Sequence, residues 1–403
     1  MKRKFNPNLI LILILLVTAF LRLVRLDFPN QYVFDEVYHA YTAKEYLKGN
    51  KDAWSPWGKS EPGVAFEWLH PPIEKEIMTA SMFLFRSTDA WAWRLPGVLL
   101  GILAVYLVYK LAHILLKNEV AALFSSFFFS VDGLVFVQSR TGMNDVYLVT
   151  FVLASVIFFL KKKYLLAALL MGVACATKWP GVFLAIIYFP FLLTKHQPKK
   201  IILFILVPLA IYLLSYLPYF LLGYKLGDFI ELHRQIWWYQ TNLKATHDYA
   251  SAWWSWPLNL YPVWYFVDYK DQRITNIFAS GNLVVFWTGT AALILTIWET
   301  FRKKSLSLFI IVLGFLVFWL PWSVSPRIMF LYHFSPSVPF LTLALGHKLS
   351  LFFEDKKHRK FVILLLILMI TNFVIIYPFL IGIPIHKDLV NFFFLTNLSK
   401  NPF

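Results

Sequence analysis

The 403-residue chain has one cysteine, Cys175, which excludes both an intrachain disulfide framework and a thiolate metal cluster. Charge is also scarce, at 15% of residues, where a soluble domain carries about 25%. Acidic residues are the scarcer sign, 22 Asp and Glu against 38 Lys and Arg. No GxxxxGK loop, HExxH, CxxC or GxSxG elbow occurs, so a phosphate-cradling loop, a zincin site, a dithiol site and a hydrolase nucleophile all lack candidates. An activated donor, if the chain uses one, is then expected to be membrane-borne. What is abundant is apolar surface: 59% of residues are hydrophobic, more than a water-soluble globule or a disordered chain can carry. The composition is that of a bilayer protein.

A membrane-crossing helix needs roughly 20 apolar residues, and eleven stretches qualify as candidates: 9–26, 92–116, 119–138, 143–160, 164–177, 179–194, 201–222, 281–301, 305–322, 328–347 and 361–384. The pair 164–177 and 179–194 meets at Lys178-Trp179-Pro180-Gly181 and reads as two thin spans or one interrupted pair. Threading the stretches alternately collects Lys2-Arg3-Lys4, Lys110/Lys117, Lys161–Lys163, Lys195/Lys199/Lys200, Arg302–Lys304 and the 348–360 cluster on one side. Basic loops mark the cytoplasmic face, so +15 of the net +16 is an orientation signal and the N-terminus is expected inside. The first stretch ends in Arg22 and Arg25 where a signal peptide would end in small residues, which favours an uncleaved helix. Two long segments, 27–91 and 223–280, then fall on the outer face. Chemistry is expected there.

In the first outer segment, Phe34-Asp35-Glu36 opens a helix-like stretch running to Gly49-Asn50, and a helix N-terminus favours ionised carboxylates. Ordinary N-capping would produce the same pair. Further on, His70-Pro71-Pro72 precedes a stripe of Ile73, Ile77, Ala80, Ser81 and Leu84, predicting a helix lying in the interface. Arg94, Arg140, Lys178 and Arg327 all reach the outer face at span ends, the arrangement an anionic lipid headgroup needs. Pairing of Arg140 with Asp132 or Asp145 is the structural alternative. The second outer segment carries His247-Asp248-Tyr249 and Trp253-Trp254-Ser255-Trp256-Pro257, and most of the 16 Trp lie toward this face. An anchoring belt populates both interfaces, so the asymmetry favours a surface for a sugar or a polyprenyl chain.

Taken in order, Phe34-Asp35-Glu36, His70-Pro71-Pro72, Arg94-Leu95-Pro96-Gly97, Asp132-Gly133 with Gln138-Ser139-Arg140 and Asp145, Lys178-Trp179-Pro180-Gly181, His247-Asp248-Tyr249 with Trp256-Pro257, and Leu320-Pro321-Trp322 through Arg327 to Tyr332-His333 resemble the protein O-mannosyltransferase family. These are membrane glycosyltransferases of the GT-C type. The resemblance spans nearly the whole chain and implies an all-α polytopic fold of about eleven transmembrane helices with outer-face interfacial helices, forming one domain over 1–403. Segment 223–280 is too short for the soluble domain of eukaryotic members, so the compact prokaryotic form is implied. So is transfer of mannose from a polyprenyl-phosphate donor to Ser/Thr hydroxyls of exported proteins, with inversion, no required metal or other cofactor, and no nucleic acid. A homo- or heterodimer in the membrane is left open. Carried over by position, Asp35 is the catalytic carboxylate and Glu36 its orienting neighbour. His70, Arg94, Arg140, Lys178 and Arg327 serve the donor phosphate and sugar, and Asp145, His247, Tyr249, Trp256 and His333 the acceptor or the outer loops. One departure stands out: the family's usual HPPLGK is His70-Pro71-Pro72-Ile73-Glu74-Lys75 here, which leaves the fifth position without a role.

A carboxylate that takes the hydroxyl proton supplies about 10²–10⁴-fold, and preorganised cations stabilise the phosphate leaving group. A single essential carboxylate agrees with inversion. Two other readings compete. One keeps the donor and changes the acceptor to a lipid or cell-wall glycan. The other is a transporter or lipid flippase, which should show internal repeats and midplane charges; the sequence shows neither.

Overall fold

The structure, a computed structural model, describes residues 6–394, so Lys2-Arg3-Lys4 lies outside the described residues. Asn6 starts the first helix, α1 (Pro7–Leu23), by accepting the free N–H groups of Asn8 and Leu9. In the first outer segment, α2 (His39–Leu47) stops at Gly49, whose φ of 70° is the left-handed turn that the predicted Gly-Asn stop requires. There follow α3 (Ile73–Phe85), α4 (Ala90–Leu116), α5 (Glu119–Ser130), α6 (Gly133–Arg140), α7 (Asn144–Leu160), α8 (Tyr164–Thr177), α9 (Leu184–Thr194), α10 (Pro198–Ser215), α11 (Leu217–Leu221) and α12 (Leu226–Asn242). Strands β1 (Val263–Lys270) and β2 (Arg273–Ala279) come next, then α13 (Leu283–Lys303), α14 (Leu306–Trp319), α15 (Val338–Glu354), α16 (Arg359–Leu380), β3 (Ile385–His386) and α17 (Lys387–Phe394).

Among the described residues, five or six of the eleven predicted crossings are met by helices of full spanning length and apolarity. Five helices can span unaided: α4, α10, α13, α14 with its 3₁₀ extension to Val324, and α16. A sixth counts α5 and α6 together, although they bend by 59° where Asp132 caps α6 and breaks the helix. Four further apolar helices are shorter than a full span: α1, α7, α8 and Trp179–Thr194. At the last of these, the Lys178-Trp179-Pro180-Gly181 break is a 3₁₀ turn over Trp179–Phe183 that separates α8 from α9.

The 27-residue α4 is central, packing on α1, α3, α5, α6 and α7. On the far side, α5 meets α15 so closely that a Cβ at Gly346 would overlap Ser125 and the Ala121 carbonyl, the close backbone approach that small residues permit between membrane helices. Helices α10 and α16 leave Ile202, Leu206, Leu209, Leu214, Ile367 and Val374 exposed, an apolar surface suited to lipid. A crevice of about 640 Å³ between α1, α5 and α16 is lined by apolar side chains apart from Thr18 and Ser130 and has no titratable side chain in its lining.

Two local expectations are corrected. The all-α fold includes a small antiparallel sheet, β1-β2-β3, in which Lys270 pairs with Arg273 and Arg273 in turn with His386. Its turn, Asp271-Gln272, lacks the Asn-Gly or Asp-Gly signature that marks a hairpin in sequence. On α3 the buried face holds Glu74, Lys75, Met78, Ser81 and Met82, while Ala80 and Leu84 of the predicted stripe face outward. The two charged residues are tolerated inside because both are paired: Glu74 with His39, and Lys75 Nζ with the carbonyls of His70 and Pro71 at 2.9 and 3.2 Å.

Candidate active site

Asp35 sits in a 3₁₀ turn, Phe34–Val37, one turn before α2, and not at an α-helix N-terminus as predicted. Phe34 has φ 48°, a left-handed conformation that costs energy for a bulky residue and persists only where packing enforces it. Here the Phe34 ring stacks on Tyr265 at 4.1 Å and meets Tyr332 edge-on. A register shift in β1 between Trp264 and Phe266 accompanies the inward placement of Tyr265, which is 4% exposed. The unanticipated hairpin therefore braces the turn that carries Asp35.

The adjacent Glu36 has a different environment. It is fully buried and accepts five hydrogen bonds: from Arg94 Nε and Nη2, both 2.7 Å, from Trp93 Nε1 at 3.0 Å, and from the N–H groups of Gly142 and Val33 at 2.9 and 3.0 Å. Arg94 spends its remaining donors on the carbonyls of Leu26, Pro29 and Gln31. Arg140 donates to the carbonyls of Leu21, Arg22 and Arg25 and so caps the C-terminal end of α1, with no ion pair to Asp132 or Asp145. Asp132 accepts instead from the N–H groups of Val135 and Asn282. Of the three residues expected to contact substrates, Glu36 and Arg94 are thus internal ties with no capacity left over for an acceptor or a phosphate, and Arg140 is tied to α1 through three of its five donors. A carboxylate has about four lone-pair sites and a guanidinium five donors.

The remaining predicted residues divide around one cavity of about 400 Å³. Asp35, His70, Lys178, Arg327, His247 and His333 line it; Asp145, Tyr249 and Trp256 do not. Asp145 lies behind the wall, its Oδ1 2.8 Å from Lys178 Nζ. Trp256 is buried, donates to Ser251 Oγ at 2.9 Å, and backs His333 with its ring plane. Tyr249 packs beside His247 at the rim. Lining residues without a predicted role include His39, Glu67, Asn144 and Tyr239. A signal existed for His39, one helical turn after Asp35, and for Asn144, next to Asp145.

The electrostatics are those of a partly dry, mixed-charge cleft. Burial raises the Asp35 pKa to about 6, with Glu67 and Asp145 adding to the rise while His39 and Lys178 oppose it. No hydrogen bond from the described residues reaches its carboxylate. Burial, reinforced by Lys178, His39, Lys75 and Arg327, drives His70 well below its ordinary value, so it is a neutral donor or acceptor near pH 7. The cations are Lys178 and Arg327; Arg327 donates to Gln240, and its Nε is buried without a partner. A carboxylate with an open coordination sphere faces two cations across a cavity large enough for a sugar phosphate. That arrangement can take a proton and stabilise an anion. Among the described residues, no group of three or more His, Cys, Asp or Glu side chains converges as metal ligands.

Comparison with known proteins identifies the family. The family model described as "Dolichyl-phosphate-mannose-protein mannosyltransferase" matches residues 12–224, and the "C-terminal four TMM region of protein-O-mannosyltransferase" matches 225–396. A polyprenol-phosphate-mannose--protein mannosyltransferase of Mycolicibacterium smegmatis is 24% identical over 93% of this chain and 89% of its own. The Saccharomyces cerevisiae dolichyl-phosphate-mannose--protein mannosyltransferase 1 is 31% identical over 31% of this chain and 17% of its own. Among solved structures, the S. cerevisiae protein O-mannosyltransferase Pmt1-Pmt2 complex bound to the sugar donor superimposes with TM-score 0.81 at 17% identity, covering 100% of this chain and 93% of that one. The Archaeoglobus fulgidus oligosaccharyltransferase shares the fold more distantly, with TM-score 0.64 at 13% identity over 99% of this chain and 59% of its own.

Proposed function

The chain belongs to the dolichyl-phosphate-mannose-protein mannosyltransferase family, and from that premise we propose that it transfers mannose from a polyprenyl-phosphate donor to Ser/Thr hydroxyls of exported proteins, with Asp35 as general base. The observation that carries the assignment of Asp35 is its open carboxylate in a cavity shared with Lys178 and Arg327, one residue from a Glu36 that is fully occupied. As the acceptor oxygen bonds to C1 of mannose, Asp35 takes its proton. The C1–O bond to phosphate breaks, and its electron pair leaves with the polyprenyl phosphate. Lys178 and Arg327, with His70 as a neutral donor, stabilise the charge that grows on that phosphate. Attack from the face opposite the leaving group inverts the anomeric centre.

In this reading the four shorter apolar helices and α15 cross the membrane beside six full spans, the bent α5–α6 pair counted as one, giving eleven passes, a cytoplasmic N-terminus and the cavity outside. The basic loops support that orientation. A second chain of the same family is the partner that the Pmt1-Pmt2 assembly suggests.

The test uses membranes holding the full chain, a polyprenyl-phosphate-mannose and a Ser/Thr-rich peptide, read by mass spectrometry. A hexose added by wild type and not by Asp35→Asn is expected. Equal labelling by both removes Asp35 from the chemistry, and labelled lipid with unlabelled peptide moves the acceptor to a glycolipid.

A further inference from the structure

His39 and Glu74 are among the most deeply buried polar side chains of the outer segment, 3% and 1% exposed. His39 follows Asp35 by one helical turn and lines the same cavity. Its Nδ1 lies 3.2 Å from Oε2 of Glu74 on α3. Glu74 occupies the fifth position of the His70–Lys75 turn, where the family's usual motif has glycine, so this contact belongs to the chain's own version of the turn. The other carboxylate oxygen of Glu74, Oε1, is buried with no partner. A carboxylate so placed is costly to keep ionised unless its one neighbour is a cation. The pair is therefore best satisfied as carboxylate and imidazolium.

The charged groups around Asp35 come from four elements: His39 of α2, Glu67 of the 65–70 segment, Lys178 of the α8–α9 turn and Asp145 of α7. Two are cations. Lys178 is shared with Asp145 at 2.8 Å, and of these two cations His39 offsets more of the desolvation of Asp35. Around His39 itself stand Glu74 and Lys75 of α3 and Glu67 of the loop, with the His70 ring parallel to it at 6.1 Å. Resting on the reading of Asp35 as the base, we propose that Glu74 and His39 form a positioning dyad that holds a positive charge beside Asp35 and keeps its carboxylate ionised inside the cavity. In agreement with this, burial disfavours the imidazolium, yet Glu74, and secondarily Glu67, raise the His39 pKa above its ordinary value against the opposing Lys75.

The experiment is a pH–rate profile at saturating donor and acceptor peptide, in membranes, for wild type, Glu74→Gln, His39→Gln, the double variant and Asp35→Asn. Removing Glu74 discharges His39, which raises the Asp35 pKa and moves the acid limb to higher pH. For a shift of about one unit the rate falls close to tenfold near pH 5.5 and stays within about twofold at pH 8, with the donor KM unchanged. His39→Gln moves the limb the same way, and the double variant no further. Because the two single variants carry the test separately, loss of folded protein in one leaves the other decisive. An acid limb that stays in place, or a rate that falls equally at every pH, overturns the dyad while an inactive Asp35→Asn preserves the base. An Asp35→Asn enzyme with wild-type rate overturns both.

Discussion

Asp35 and Glu36 are neighbours in the chain with opposite fates. Glu36 points inward to five donors and anchors a lower tier that includes Arg94, tied to three carbonyls, and Arg140, which caps α1. Asp35 points into the cavity and is held there by what surrounds its backbone, since nothing among the described residues bonds to its carboxylate. An acid saturated with hydrogen bonds is stable and inert. One left open in a partly dry cleft is costly and reactive, and the lower tier supplies the rigidity that permits it.

Breaking that contrast gives a graded series. The largest effect belongs to Asp35→Asn, with kcat expected to fall about 10²–10⁴-fold in the peptide-labelling assay. Its folded pKa of about 6 lies above the unfolded 3.8, so the folded state binds the extra proton between these values and loses stability as pH rises through them. Asp35→Asn should therefore leave thermal unfolding at pH 7.5 unchanged or raised. For wild type, activity should decline about tenfold per unit of pH below 6, as the base is protonated.

Arg94→Met acts on the other tier. It strands Glu36 in the interior and should cost about 3–5 kcal/mol of stability, seen as a lowered unfolding temperature in detergent and less folded protein in membranes. Next in size, Arg327→Met should reduce kcat/KM for the donor about 10–100-fold, the worth of one charged hydrogen bond, with thermal unfolding nearly unchanged. If Arg327→Met instead unfolds the protein, Arg327 belongs to the lower tier and the division fails. The smallest effect is Tyr265→Leu, which removes the ring behind Phe34; an aromatic pair worth about 0.5–1.5 kcal/mol predicts a two- to tenfold lower kcat with Asp35 still required.

Much of the architecture was legible without coordinates. Apolar stretches of helical length, basic loops of one sign and Gly49 as a stop signal are local properties, and a bilayer leaves the backbone little choice but helix. The hairpin was not legible, because its turn carries no hairpin signature and its value lies in a ring that stacks 4.1 Å from Phe34, more than 200 residues away. Nor was the α3 stripe, since Glu74 and Lys75 are buried only by partners brought from α2 and the loop.

By itself the sequence determined the bilayer setting, the clustering of basic residues in a few loops, and a short set of residues in an order that identifies the family. It supplied Asp35 and Glu36 as one motif, because adjacent residues share every local signal. Only the tertiary structure separated them, since which carboxylate meets Arg94 and which meets the cavity depends on groups distant in the chain, and desolvation and hydrogen bonding act through space.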